Sequence, residues 1–486
     1  MERREQIIDE AVRAFRARLV EAIGEMEAAR TAAAFCTAER AVVGLARELG
    51  GEITRRVLQD VSDDSLRRKS ALAKCRDKAG ARGIELRVER KRKTVVRTLS
   101  GSLVEVTTPY ASARPRGGGR LKTRGRQGTG VYPVLDELGI LGRSTPALRL
   151  LVSRAVCEAN SVSSARELLE DSGLKLDHKA ALRLTYLVAE DALREREAGI
   201  RRTTEGAEGG VFKGRKVVVT VDGGRINIRR RVAGRPKKGG RKRFVTEWRE
   251  PKILTLYVMG EDGKRDKTVS PVIDGTLGDA DSVYRLIRYH LLRLGGHQAA
   301  EVALVGDGAV WIWNRGERLR EELGLPPERF HEILDYFHAA ERLCDFASNQ
   351  SDWSEAGRKT WIRVQKERLK AGRIEEIEGV LSGILDSSPE DRSTELKYWS
   401  RNRERLRFAT YRERGLPNGS GVVESSVRRV VNLRLKGAST VWTEEHAEGV
   451  LHLRAHAKSG RWKELEDAVL GSTGWCPTSR RVTEAA

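Results

Sequence analysis

Residues 216–231 read KVVVTVDGGRINIRRR. A short run of Val and Thr, 217–221, climbs to a single aspartate, Asp222, and two glycines later becomes a train of arginines. Such an apolar run, bounded by a turn signal, reads as a buried strand. Aspartate at a strand end is a common turn residue, because its side chain bonds the backbone two residues on. The same grammar returns in EVALVGDG (301–308), which ends at Asp307. If the two strands are parallel neighbours, both carboxylates reach one sheet edge, where oxygen ligands can hold Mg2+. The second run, 225–231, follows after only two glycines and predicts a β-hairpin with the first. A third run, KILTLYVMG (252–260), precedes an amphipathic helix at 280–294, with Val283, Leu286, Ile287, Leu291 and Leu292 on one side. The order β-β-β-α-β-α predicts a mixed sheet flanked by helices.

The charge balance says what such a site would meet. The 486 residues hold 91 Lys and Arg against 69 Asp and Glu, a net charge of +22. That excess favours a polyanion, nucleic acid before an acidic membrane surface, with solvated basic faces as the bland alternative. The five cysteines, Cys36, Cys75, Cys157, Cys344 and Cys476, are scattered without a CxxC pair. This argues against a zinc module and a disulfide framework. The charged N-terminal stretch has no apolar signal core, and no run approaches the roughly 18 apolar residues of a membrane span. A soluble, cytoplasmic protein is expected.

Residues 1–60 carry apolar positions at helical spacing and predict two long helices, suited to self-association. Alternation over 84–110 predicts short strands. The segment ARPRGGGRLKTRGRQGTG (113–130) reads as a basic loop, either solvated or laid along phosphates through Arg114, Arg116, Arg120, Lys122 and Arg124. Helices at about 163–171 and 177–193 around a Gly173 turn resemble a helix-turn-helix, a common shape also in proteins that never touch DNA. The polar stretch 194–210 reads as a linker. Helices are expected at 336–348, 354–371, 373–385 and 393–413. After the GLPNGSG break (415–421) come one helix from VVESS onward, another at about 444–458, and a poorly patterned tail.

A two-metal phosphoryl-transfer centre needs a third acid. Glu424 is the candidate, in the first turn of the helix after the break, where negative charge suits the dipole. An ordinary i,i+4 ion pair with Arg428 is the competing reading. Between Arg225 and Arg243 stand ten basic residues and no acidic one. A solvated strand face would mix signs, whereas a DNA-facing ribbon would not. Its candidates are Arg225, Arg229, Arg231, Lys237, Lys238, Arg241, Lys242 and Arg243, with GRPKKGGRKR (234–243) as a tip touching DNA. Arg428 is a further DNA-binding candidate. Trp311, Trp313 and Trp361 could stack on a base, although a core position is the commoner fate.

GSGVVESSVRRVVNLRLKG, followed by W-x-x-E-x-A-E and LRAHAKSGRW, resembles the C-terminal signature of bacterial insertion-sequence transposases of the Kra type, themselves more loosely related to the Mutator-like superfamily. VTVDGGR and LVGDGAVWIWN are similar to the strands carrying the first two acids of that family's DDE triad, and ILDYFHAAERL supplies Asp335-x-x-His338, similar to its C/D-x-x-H motif. These matches run from about 211 to 462. The resemblance implies a multidomain α/β protein with a ribonuclease H-like catalytic domain holding a helical insertion, preceded by helical and small β DNA-binding regions. The organisation expected is a helical, oligomerising region (1–80), a small β region with basic loop (81–130), a helix-turn-helix-like region and linker (131–210), the core's first part (211–348), the insertion (349–417), C-terminal core helices with Glu424 (418–470) and a tail (471–486). Asp222, Asp307 and Glu424 carry over as catalytic metal ligands for two Mg2+ ions, with Mn2+ as a substitute. Asp335 is favoured as a structural hydrogen-bonding residue, and His338 as an auxiliary group orienting phosphate or water. The family's cysteine-bearing ribbon is missing here, so zinc is not expected. The implied reaction is cleavage at transposon ends and strand transfer into target DNA. The implied partners are double-stranded DNA, both terminal inverted repeats and target, and a second copy or more of the chain. No membrane is involved, and a nucleoid-associated cytoplasmic location follows. A nuclease or resolvase on the same fold, and a domesticated DNA-binding descendant, are the alternatives.

Overall fold

A computed structural model describes residues 2–81, 83–115, 130–234, 243–385, 389–437 and 440–472. The candidates Arg116, Arg120, Lys122, Arg124, Lys237, Lys238, Arg241 and Lys242, and nearly all of the 471–486 tail, lie outside these residues. The chain divides into two units, Met1–Asp191 with Glu466–Ala486, and Ala192–Leu465. Among the described residues no helix is long and apolar enough to cross a membrane.

The first unit opens with α1 (Glu2–Ala28), α2 (Ala32–Asp63) and α3 (Ser65–Gly80). Thr31 caps α2 by accepting from the Ala34 amide at 3.2 Å, and Asp64 caps α3 by accepting from Leu66 and Arg67. Strands β1 (Ile84–Arg97) and β2 (Leu103–Pro115) form one long antiparallel pair with a register shift between Val88 and Lys91. The expected short strands are therefore two long ones; across the shift the inward face of β2 passes from Val104, Val106, Thr108 and Tyr110 to Ala111 and Ala113, all buried. Helices α4 (Pro133–Glu137), α5 (Pro146–Glu158), α6 (Val162–Asp171) and α7 (His178–Arg202) follow. The α6–α7 turn uses Gly173 at φ +77°, where a Cβ would meet the Arg47 guanidinium at 2.0 Å.

The stretch expected as a linker from residue 194 is helical as far as Arg202. Arg196 explains the difference: it is buried and pairs with Asp274 at 3.3 Å and Glu448 at 2.7 Å. A residue that looks solvated in the sequence is an anchor in the second unit.

That unit holds β3 (Lys216–Gly223), β4 (Ile226–Arg231), β5 (Phe244–Arg249), β6 (Lys252–Met259), β7 (Val272–Thr276), α8 (Ala280–Arg293), β8 (Glu301–Gly306), α9 (Val310–Trp313), α10 (Gly316–Glu322) and β9 (Phe330–Leu334). A mixed five-stranded sheet runs in the order β7-β6-β3-β8-β9. β3 pairs antiparallel with β6 and parallel with β8, and β8 pairs parallel with β9. Val217, Val218 and Val219 are fully buried at its centre. The hairpin expected between β3 and β4 does not form; β4 pairs with β5 in a separate two-stranded sheet. Both edges of β3 are already taken by β6 and β8. Gly224 donates to the Pro251 carbonyl at 2.9 Å and packs against Val431, so the two glycines carry the chain onward instead of reversing it.

After β9 come α11 (Tyr336–Ser348), α12 (Glu355–Lys370), α13 (Ile374–Ile384), α14 (Pro389–Asn402) and α15 (Phe408–Glu413). The single helix expected over 393–413 is interrupted by a 3-10 turn at Arg403–Leu406. Then follow α16 (Gly421–Val427), a π-helical turn (Arg428–Asn432), α17 (Glu444–Ser459) and α18 (Trp462–Ser472).

At its β7 edge the sheet buries a charge cluster. Asp274 on β7 is wholly buried and accepts from His290 Nε2 and His452 Nδ1, both at 3.0 Å, besides pairing with Arg196. Burial opposes its charge, yet His452, Arg196 and His290 hold the carboxyl well below the usual range. Burial pushes the imidazoles the other way, His290 to about 4 and His456 to about 3.

Candidate active site at the carboxyl ends of the central strands

Register places the first two acids. Lys216 pairs with Glu301 and Thr220 with Val305 along β3 and β8. The same offset, carried two residues further, sets Asp222 beside Asp307. On β8 and β9, Gly306 pairs with Leu334, so Asp307 in turn lies level with Asp335. Three adjacent parallel strands thus end in aspartate at one level.

The three carboxylates are used differently. Asp222 is half-buried and accepts from the Gly223 amide at 2.7 Å; Asp307 is exposed and accepts from the Ala309 amide at 3.0 Å. Gly308 at φ +96° allows that tight turn. Each spends one oxygen on the local backbone, and among the described residues neither has a second protein donor. Asp335 is wholly buried and saturated: its Oδ1 accepts from the Phe337 amide at 2.6 Å and the His338 amide at 3.3 Å, and its Oδ2 accepts from the Ser420 amide and hydroxyl. It caps α11 and ties that helix to the GSG loop. The Tyr336 amide adds a bond to the Asn418 carbonyl at 2.8 Å. Burial opposes the charge on Asp335, but His338 and Ser420 bring its pKa down to about 2.

The stapled loop delivers Glu424. Helix α16 lies on β3 and β6 through buried Val423 and Val427, and Ser426 Oγ meets Thr255 Oγ1 of β6 at 2.9 Å. Thr220 of β3 donates to the Thr255 carbonyl at 3.1 Å, completing a polar seam beneath the helix. Glu424 is exposed in the first turn, and among the described residues it forms no ion pair with Arg428, the ordinary pairing weighed from the sequence. The Asp222 carboxyl is raised above its usual range, first by burial and then by the charges of Asp307 and Glu424. Those two acids are therefore close enough to repel it.

His338 faces the same edge, its side chain 39% exposed and its Nδ1 3.7 Å from Asp335 Oδ1. That separation is an ion pair beyond hydrogen-bond reach, and the buried Nδ1 has no hydrogen-bond partner. Asp335 first, against the effect of burial, and then Asp307 and Asp222 push the imidazole up to about 9. The surrounding acids thus favour the charged form of this ring. Two contributors were missed in the sequence: Ser420, hidden in a break, and Tyr398 of α14, whose ring lies against Gly308 and whose phenol is pushed by burial up to about 12.

The donor set at the edge, three carboxylates, is the hard-oxygen chemistry that Mg2+ or Mn2+ prefers. As arranged, no three His, Cys, Asp or Glu side chains among the described residues converge tightly enough to grip an ion. The spare oxygens of Asp222 and Asp307 and the exposed Glu424 fit such a group by the type of donor they offer.

Of the described basic candidates, Arg225, Arg229, Arg231 and Arg243 are exposed on or beside the β4–β5 pair, and Arg428 is exposed at the start of the π-helical turn. None of these five forms an ion pair among the described residues. Arg114 pairs through its backbone with Glu85 in the first unit. Trp313 is a core residue, 6% exposed. Trp361 stacks on Phe346 at 5.5 Å, and Trp311 lies under Lys252.

Asp335→Asn puts an amide N–H2 where an oxygen must accept. It should cost about 1–3 kcal/mol, read as a lower Tm. An unchanged Tm would remove Asp335 as the staple.

No protein-family model, curated protein or solved structure matches the chain.

Proposed function

We propose that this chain is a DNA transposase of the DDE type, which cleaves DNA at element ends and joins the freed end to a target. The carrying observation is the register that sets Asp222 beside Asp307 at the carboxyl edge, with Glu424 near enough to raise the Asp222 pKa. We read the mixed sheet as a ribonuclease H-like domain on the same grounds: its central parallel strands end in acids, and a later helix packed on those strands brings the third.

Asp222, Asp307 and Glu424 would hold divalent ions. When bound, such ions supply charge neutralisation and an activated oxygen for in-line displacement at phosphorus, which suits both hydrolysis and strand transfer. The chain's own residues do the rest. Asp335 and Ser420 fix the loop that positions Glu424. His338, held protonated by Asp335, presents positive charge where a phosphate must approach several carboxylates. The unpaired arginines beside Asp222 neutralise backbone phosphate and give binding its salt dependence. Homo-oligomerisation, which pairing of two ends requires, belongs to the same reading.

The deciding experiment incubates the purified chain with labelled DNA ends, a target duplex and Mg2+ or Mn2+. Joined products support a transposase, cleavage alone supports the nuclease reading, and binding without chemistry supports a domesticated descendant.

A further inference from the structure

The β4–β5 pair has two unlike faces. Cross-strand partners share a face, and Ile226 and Ile228, buried at 0% and 3%, point to the protein. The opposite face carries Asn227 across from Trp248, Arg229 across from Thr246, and Arg231 across from Phe244. Trp248 is 54% exposed and Phe244 50%. Large aromatics on a solvent face are unusual in company with arginines that have no acid to pair with. The one acid on the pair, Glu247, lies on the other face and is bound to Arg230 at 2.6 Å. The Arg225 guanidinium sits over the Trp248 ring at 5.6 Å. The face is also held firmly through its backbone: the Arg229 amide donates to the Trp442 carbonyl at 2.8 Å, and the Trp442 amide donates to the Asn227 carbonyl at 3.0 Å.

An occupant must therefore offer flat apolar surfaces and negative charge in alternation. A duplex hides its base faces, whereas a single strand offers base, phosphate and base in turn. Phe244 and Trp248 are about 13 Å apart along the strand, with Arg231 and Arg229 opposite and between. The Trp248 end leads through Arg225 to Gly224, Gly223 and Asp222, at most about 10 Å of chain.

We propose that this face is a stacking platform for single-stranded DNA, on which Trp248 and Phe244 each take an unstacked base while Arg225, Arg229 and Arg231 take the phosphates, delivering the strand to the Asp222 edge. The delivery rests on the transposase reading; the binding does not.

The test measures anisotropy of labelled oligothymidylate, an abasic oligomer of equal length and a blunt duplex, with the full chain in EDTA so that no chemistry intervenes. Trp248→Ala should weaken oligothymidylate binding roughly five- to a hundredfold and leave the abasic oligomer and the duplex unchanged. Trp248→Phe should recover most of the loss, which also controls for folding. Arg229→Gln should weaken all three ligands and lower the salt slope by about one. The platform is overturned if Trp248→Ala changes nothing, weakens all three ligands equally, or instead shifts the oligomeric state on size exclusion, the face then being a contact between copies. If base-dependent binding holds while the wild-type chain neither cuts nor joins DNA, the transposase reading fails and the platform stands. If strand transfer succeeds and Trp248→Ala binds oligothymidylate normally, the platform alone fails.

Discussion

On the transposase reading proposed above, Asp307→Asn should reduce cleavage and joining by at least about a hundredfold, since even partners one shell out from a metal commonly cost ten- to a hundredfold. DNA affinity should hardly move. Asp307 is exposed at the end of β8, so losing its charge leaves no buried group unpaired. Its one backbone bond, from Ala309, can be kept by the Asn oxygen. The arginines of the β4–β5 face are untouched. Tm should therefore stay within the small range typical of surface changes. Retained cleavage would refute the assignment of Asp307, and lost DNA binding would mean that the substitution acts through the fold. Glu424→Gln should behave alike, because the helix bearing it is anchored by Val423, Val427 and Ser426 rather than by the carboxylate.

Asp274→Ala should be the most damaging single change to stability, about 3–5 kcal/mol. It removes one of the buried charges paired with Arg196, leaving Glu448 at 2.7 Å, the Gly275 carbonyl at 3.0 Å and Glu197 at 3.8 Å, and strips His290 and His452 of their acceptor. The same cluster sets the acid limit. His290 and His456 have folded pKa values below their ordinary one, so as pH falls below about 6.5 the unfolded chain binds protons that the folded chain refuses. Each histidine then removes stability at about 1.4 kcal/mol per pH unit, roughly 2 kcal/mol by pH 5. The depressed Asp274 adds its loss only below the ordinary carboxyl range. Urea unfolding at pH 7 and pH 5 checks this; a stability unchanged between them would mean that the histidines are not buried neutral.

Much of the candidate site was legible before the fold. Asp222 and Asp307 announce themselves because each closes an apolar run with a glycine next, a local pattern that depends on nothing distant. Glu424 follows from the GSG break and helix signal, and the helices from Tyr336 to Ile384 from their 3.6-residue period. The β3–β4 hairpin was misread because two glycines between strands look the same whether the chain reverses or passes on; competition from β6 and β8 decides it. Arg196 was misread for a related reason, since REREAGIRR is polar in composition and its partners lie at 274 and 448. Trp248 and Phe244 gave no signal, because strand alternation says which residues share a face but not which face is covered.

Local chemistry in the chain thus determined the strand ends, the helices, the basic excess and the types of acid available. Only tertiary structure decided that β3 and β8 lie parallel with the offset that levels Asp222 with Asp307, that a buried Asp335 holds the Glu424 loop, and that the β4–β5 aromatics face outward. Register and facing arise from which long-range pairings bury the most apolar surface while satisfying buried polar groups, and no short stretch of sequence contains both partners of those pairings.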